Sequence, residues 1–175
     1  MSEIFKEESL HLFLDTIFRE LERSAIKVDH LEMDHLCYRV QSMKRYDEIK
    51  THLTNEYQLL SESLVNGRPI MNFQLIPPLT YQERKIAILE IPAPKHGSKY
   101  EEGFEHVEFV IQKSIEEFLE EYKHIPFDLK GLNKPYNREV RVKFDQYSVK
   151  FHESSLVEVI RKEKEAKRTK LPDQL

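Results

Sequence analysis

Cysteine, clustered positive charge and long apolar runs are all scarce in this sequence. Its one cysteine, Cys37, excludes an internal disulfide and suits a reducing compartment. Lys and Arg total 27 against 31 Asp and Glu, a formal charge of −4. The chain therefore lacks the basic footprint on which DNA or RNA binding leans, and no nucleic-acid partner is expected. No apolar run approaches the roughly 20 residues that cross a bilayer, so no membrane partner is expected either. The first residues, Met1 to Glu8, are acidic and lack the basic-then-apolar order of a signal peptide, which points to the cytoplasm. What is present is a soluble composition, 39% hydrophobic and 33% charged, over 175 residues. That length suits one domain or two fused half-domains.

The most informative stretch is Gly103 to Ile111. Phe104, Val107, Phe109 and Ile111 are apolar, while His106 and Glu108 project together from the other face of a strand. About seventy residues earlier, Met33-Asp34-His35-Leu36-Cys37-Tyr38-Arg39-Val40 has the same order of acid, histidine, apolar residue and aromatic. Two histidine-bearing strands at equivalent places imply that the chain is two related halves.

Around those strands the chain divides as follows. Residues 1–33 hold an N-terminal helix, with Phe5, Leu10, Phe13, Leu14, Ile17 and Leu21 at helical spacing, and a polar link. Residues 34–91 form a βαβββ unit. In it Ser42 caps a helix carrying Met43, Tyr46, Ile49 and Leu53, and Asn66-Gly67 joins two strands by a type I′ turn. Pro69 marks a free edge near the hairpin tip, Pro77-Pro78 breaks the chain, and residues 85–91 return as a strand. Residues 92–102 are a proline- and glycine-bearing linker. Residues 103–163 form the second unit: the central strand, a helix opened by the capping box Ser114 to Glu117, strands 139–144 and 147–152, and a closing helix from Ser155. Residues 125–137 receive no assignment, and 164–175 are expected to be a frayed helix end and flexible tail. The expected fold is α+β: two paired βαβββ units in one curved mixed sheet, helices outside, and an extra N-terminal helix.

Alternation gives each key strand one packing face and one face with a group able to bind metal. His35, Cys37 and Arg39 lie opposite Leu36 and Tyr38; Glu90 lies opposite Leu89 and Ile91; His152 lies opposite Val149 and Phe151. Imidazoles with carboxylates suit Zn, Ni, Fe, Mn or Co. The competing reading is a solvated sheet face with ordinary polar residues. His11, His30, His52, His96 and His124 fall on helix faces or loops and read as surface residues, and Cys37 as a small buried apolar residue. Arg68, Asn72 and Gln74 share a strand face, and with Arg39 they suit an anionic or oxygen-rich ligand; an exposed arginine at a hairpin tip is the equal alternative.

Several strings add a resemblance. Leu59-Leu60-Ser61-Glu62, Asn66-Gly67-Arg68-Pro69-Ile70, Leu89-Glu90-Ile91-Pro92, Gly103-Phe104-Glu105-His106 and Val149-Lys150-Phe151-His152 resemble the bacterial YecM family. The paired repeat resembles the vicinal-oxygen-chelate superfamily of glyoxalases, dioxygenases and epimerases. That resemblance implies a divalent metal on the concave face held by His35, Glu90 and His106. His152 takes the fourth place where many relatives carry a glutamate, with Glu153 or water as the alternatives. It implies a metal-dependent isomerase, lyase or oxygenase for a small oxygen-rich molecule. From strand position, the group that moves protons there is Glu108, roughly 7 Å along from His106 on the same face, or Glu90 at its strand end, and the alternative for Glu108 is a structural pair with Arg39 or Lys150. A non-catalytic module that sequesters a ligand or metal on the same fold is the second possibility. Monomer and homodimer are both compatible with the sequence.

Overall fold

The computed structural model describes residues 5–99 and 101–169, with side chains up to 166. The sequence periodicities become α1 (Glu7–Arg23), β1 (Glu32–Arg39), α2 (Met43–Glu56), β2 (Gln58–Val65), β3 (Arg68–Tyr81), β4 (Arg84–Pro92), β5 (Gly103–Val110), α3 (Ile115–Glu121), β6 (Glu139–Phe144), β7 (Tyr147–His152) and α4 (Leu156–Thr169). The seven strands among the described residues form one mixed, curved sheet in the order β2-β3-β4-β1-β5-β7-β6. In each half the last strand returns parallel to the first, β4 beside β1 and β7 beside β5. The two first strands pair antiparallel across the middle, centred on Leu36 opposite Val107. An approximate two-fold through that point relates His35 to His106 and Cys37 to Glu108.

The main core lies between the sheet and α1, α2 and α3. α1 buries Leu10, Phe13, Leu14, Ile17 and Leu21, the stripe that its three- and four-residue spacing calls for. It spans both halves: Phe13 stacks on Phe104 and meets Tyr147 edge-on, while Phe18 stacks on Tyr81, whose hydroxyl donates to Asp15 at 2.6 Å. Arg84 donates to the carbonyls of Val28 and Leu31 and so fixes the link into β1. The caps are as expected. Ser42 accepts from the Arg45 amide, Ser114 and Glu117 form a capping box, and Ser155 accepts from the Glu158 amide. Asn66 and Gly67 both have positive φ, as a type I′ turn requires.

Four details differ from the expectations. Pro77-Pro78 does not end a strand: β3 continues to Tyr81 after a register shift between Gln74 and Leu79. Pro69 is not on a free edge, because β3 lies between β2 and β4, and the Pro69 carbonyl accepts from the Ala93 amide. The second unit lacks a counterpart of β2. Residues 125–137, broken by Pro126 and Pro135, instead pack Phe127 and Leu132 on the core, form a 3₁₀ turn at Lys130–Asn133, and touch β6 by one bridge, Asp128 to Arg141. Finally, α4 stays helical to Thr169 and lies on the same side of the sheet as Glu90, where Leu156 and Ile160 cover Ile88 and Leu60. The tail expected beyond it, 170–175, lies outside the described residues.

Gly131 in the 3₁₀ turn is pressed on β6. A Cβ there would meet Cγ of Glu139 at 2.3 Å and its carbonyl at 2.6 Å. Gly131→Ala should therefore lower the free energy of unfolding by about 1–3 kcal/mol, the usual cost of overpacking. Urea denaturation measures this, and an unchanged midpoint would show that the turn is loosely held.

Candidate metal centre

His35 and His106 come from the two central strands, and Glu90 from β4, where it is the register partner of Cys37. Ligand atoms of His35, Glu90, His106 and Glu108 all lie within 4.8 Å of one another. Nε2 of His106 is 3.0 Å from Oε1 of Glu108 and 3.7 Å from Oε1 of Glu90, and Nε2 of His35 is 3.2 Å from the same Glu108 oxygen. His35, His106 and Glu108 are almost fully buried, whereas the Glu90 side chain keeps 15% of its exposure. Glu108 thus occupies the middle of the group. Its 7 Å step from His106 along the strand suggests a more distant place, but the side chain leans back across that step.

Each histidine faces the acid that precedes it, and His35 is hydrogen-bonded to it. Nδ1 of His35 donates to Asp34 at 2.7 Å, and Nδ1 of His106 faces Glu105 at 3.6 Å. Adjacent residues of a regular strand point to opposite faces, so this needs an irregular backbone. The β1–β5 pairing supplies it by skipping Asp34 on one strand and Glu105 on the other. Two symmetric bulges turn each acid toward its own histidine, the carboxylate–imidazole arrangement that fixes ligating histidines. Asp34 also accepts from the Leu156 amide at 2.9 Å, tying the first turn of α4 to the same site.

His152 is fully buried at one side. Its Nδ1 donates to the Ser154 carbonyl at 2.6 Å, and its Nε2 faces Asp34 at 3.5 Å and Glu108 at 3.4 Å. It therefore groups with Asp34 and His35 and not with Glu90. Glu153 points elsewhere and accepts from the Ile115 amide at the start of α3. Lys150, parallel-paired with Glu108, has no counterpart among the expected ligands; its Nζ is 2.6 Å from Oε1 of Glu108 and 2.9 Å from Nε2 of His106. The pair of Glu108 with Lys150 is the one that the sequence offers as the structural alternative to a proton-moving Glu108.

The charges reinforce one another. Burial would raise the Glu108 carboxyl, but the Lys150 ammonium and His35 hold it well below the carboxylate range. Burial would lower Lys150, yet Glu108, Glu139 and Glu90 push it above its ordinary value. Burial also disfavours a charged His35, but Glu108 and Asp34 push it up to about 10. Hydrogen bonding to His106 draws Glu105 down to about 2. Burial, then Glu90 and Glu105, drive the Cys37 thiol well up, in keeping with an inert residue. The donor set fits a divalent ion. Nε2 of His35 and Oε2 of Glu108 are buried without a hydrogen-bond partner, and two imidazoles with two carboxylates suit Zn, Ni, Fe, Mn or Co.

The group forms the floor of a cleft of about 750 Å³, with Leu156, Val159 and Ile160 of α4 on one wall. Arg39, Arg68 and Asn72 line it. Gln74 does not; its amide donates to the Ala87 carbonyl. Asn72 donates to Ser61, and its Oδ1 is buried without a partner. His11, His30, His96 and His124 are exposed and His52 half-buried on α2, all away from the cleft.

A family model described as "YecM protein" matches residues 4–163. An uncharacterized protein of Haemophilus influenzae is 32% identical over 114 residues, 63% of this chain and 60% of that one. Protein YecM of Escherichia coli is 31% identical over 98 residues, 56% and 50% of the two chains. The chain thus spans 50–60% of the length of these curated relatives. A solved structure titled "Structural Genomics, Protein EC4020" superposes with a TM-score of 0.71 at 27% identity, covering 84% of this chain and 85% of that one. The hypothetical protein BH1468 from Bacillus halodurans, at 20% identity and a TM-score of 0.50, covers 71% and 95% and shares the fold.

Asp34 couples the site to the fold, so its loss is expected to act on both. Asp34→Ala removes a partner of the α4 amide, worth about 1 kcal/mol, and a buried charged hydrogen bond worth about 1.5–3 kcal/mol. Denaturant unfolding should show the larger loss for Asp34→Ala than for Asp34→Asn, which keeps an acceptor. Equal, small losses would show that α4 and His35 do not depend on this carboxylate.

Proposed function

This chain belongs to the YecM family, and from that premise we propose that its cleft is a metal-dependent centre of vicinal-oxygen-chelate type that takes a small, oxygen-rich anion. The observation that carries the reading is the convergence of His35, Glu90, His106 and Glu108 on one point of the cleft floor. The residues that would hold the ion are His35, His106 and Glu108, with Glu90 from the neighbouring strand. His152 lies beside them, its Nε2 3.5 Å from Asp34 and 3.4 Å from Glu108. When bound, the ion supplies a Lewis acid that holds neighbouring ligand oxygens and stabilises negative charge developing on them.

The protein's own groups then divide the work. Asp34 and Glu105 keep the imidazoles turned inward. Arg68 and Arg39 line the cleft as cations suited to a carboxylate, and Asn72 Oδ1 supplies a buried acceptor. Of the two carboxylates able to move a proton, Glu90 is the better placed. Glu108 is pinned by Lys150 and held strongly ionised, which makes it a weak base, whereas Glu90 faces the cleft and keeps some exposure. The chain's lone cysteine, buried and reduced, supports a cytoplasmic setting. A non-catalytic sequestering module is the second reading, and the Lys150 contacts with His106 and Glu108 favour it, since they give both groups a partner without an ion.

Titration of metal-stripped protein with Zn²⁺ or Ni²⁺ tests the centre. Affinity should fall by at least about a hundredfold in a His35→Ala/His106→Ala double variant, the loss of two first-rank ligands exceeding the 10- to 100-fold typical of their supporting groups. His11→Ala and His96→Ala should leave it unchanged. Equal affinity in the wild type and the double variant would remove the metal from this site. Oxalate, which presents neighbouring oxygens, should bind the loaded protein and lose about tenfold in affinity in Arg68→Ala, as for a lost charged hydrogen bond. Oxalate binding that ignores both metal and Arg68 would place the anion elsewhere.

A further inference from the structure

Lys150 is a largely buried charged residue at this centre to which the reading above gives no positive task. Its place in the fold is informative. In the first unit Cys37 on β1 is the register partner of Glu90 on β4; in the second, Glu108 on β5 is the partner of Lys150 on β7. Because the β1–β5 pairing relates Cys37 to Glu108, it also relates Glu90 to Lys150. The position that delivers a carboxylate to the centre from one half delivers an ammonium from the other.

That ammonium sits among atoms a metal would need. Nε2 of His106 and Oε1 of Glu108 are 3.0 Å apart, and Nζ of Lys150 lies within 2.9 Å and 2.6 Å of them; an ammonium only donates, so in its contact with Lys150 the imidazole carries its hydrogen on Nδ1 and accepts at Nε2. Its hydrogen bonds use the His106 lone pair that would ligate an ion. Oε2 of Glu108 is buried without a hydrogen-bond partner, and so is Nε2 of His35, which lies 3.2 Å from the Oε1 that Lys150 holds. The side chain of Lys150 is 13% exposed, and Oε1 of Glu139 on β6 lies 3.9 Å from its Nζ.

We propose that the Lys150 ammonium is the resident cation of this centre, and that a divalent ion reaches His106 and Glu108 only by displacing it. The inference rests on the metal reading given above and deepens it. Lys150 keeps Glu108 compensated when no metal is bound, and Glu139 is the carboxylate placed to take the ammonium when an ion enters. Metal loading is then an exchange of one cation for another, and the exchange weakens the apparent affinity of the wild-type protein.

The test is calorimetric titration of metal-stripped wild type, Lys150→Met and Lys150→Gln with Zn²⁺. Both variants should bind at least about tenfold more tightly, because the ion no longer has to break hydrogen bonds to charged groups. In chelator both should melt at lower temperature than the wild type, and both should gain more on adding Zn²⁺. Should a variant fail to fold without metal, refolding in Zn²⁺ is the alternative measurement: recovery of native circular dichroism with the ion alone supports the exchange, and no recovery in either variant overturns it. Equal or weaker affinity in the variants overturns the exchange and leaves the metal reading standing. Binding by the variants but not by the wild type upholds Lys150 as the resident cation and removes metal from the native protein. Binding by none of the three proteins overturns both.

Discussion

Antiparallel pairing of β1 with β5 joins the two halves through their first strands, and the geometry of the centre depends on how that pairing is made. A regular ladder through Leu36 and Val107 would set His35 and His106 on one face and send Asp34 and Glu105 to the other. Instead each acid is skipped in the register. A bulge costs ladder regularity and here returns an oriented imidazole in each half. The apolar residues between the bulges, Leu36 and Val107, are fully buried beneath α1, so the seam cannot slip by one residue without exposing them. Packing on one face of the sheet therefore fixes the chemistry on the other.

Much of this was legible in the residues. Alternation identified the histidine strands and put Glu90, His106 and Glu108 on one face, and helix caps and the Asn-Gly turn placed most element boundaries within a few residues. The acid-histidine repeat was visible too, but its meaning was not. A period of two assigns Asp34 to the wrong face, and nothing local in the sequence announces a bulge. The role of Glu108 was obscured for a related reason: distance along a strand measures where Cβ atoms sit and not where a flexible glutamate ends. Gln74 shows the opposite error. It shares parity with Arg68 and Asn72, yet β3 shifts register after it and its amide is used across the sheet.

α4 links the fold to the site in a second way. Its first-turn amide at Leu156 needs an acceptor, and the acceptor is Asp34, the residue that orients His35. Its apolar side then covers Ile88, the register partner of Gln74, and Leu60 on β2. The helix thus forms one wall of the cleft, which Arg39 and Arg68 also line.

The two halves are related by symmetry in backbone but not in charge, and the departure has a consistent logic. His35 and His106 are equivalent and both are kept. Their partners are not: Cys37 with Glu90 in the first unit corresponds to Glu108 with Lys150 in the second. One pair is neutral plus anionic, the other anionic plus cationic, so the two units together contribute two carboxylates and one ammonium. Placing a glutamate at position 150 as well would gather Glu90, Glu108 and a third carboxylate beside Asp34 and Glu105 in a buried pocket, a charge that only a tightly held ion could balance. A lysine there lets the same buried glutamate exist with or without metal. The asymmetry allows Glu108 to sit at the centre of the sheet, almost out of reach of water, with its charge compensated by the protein's own Lys150.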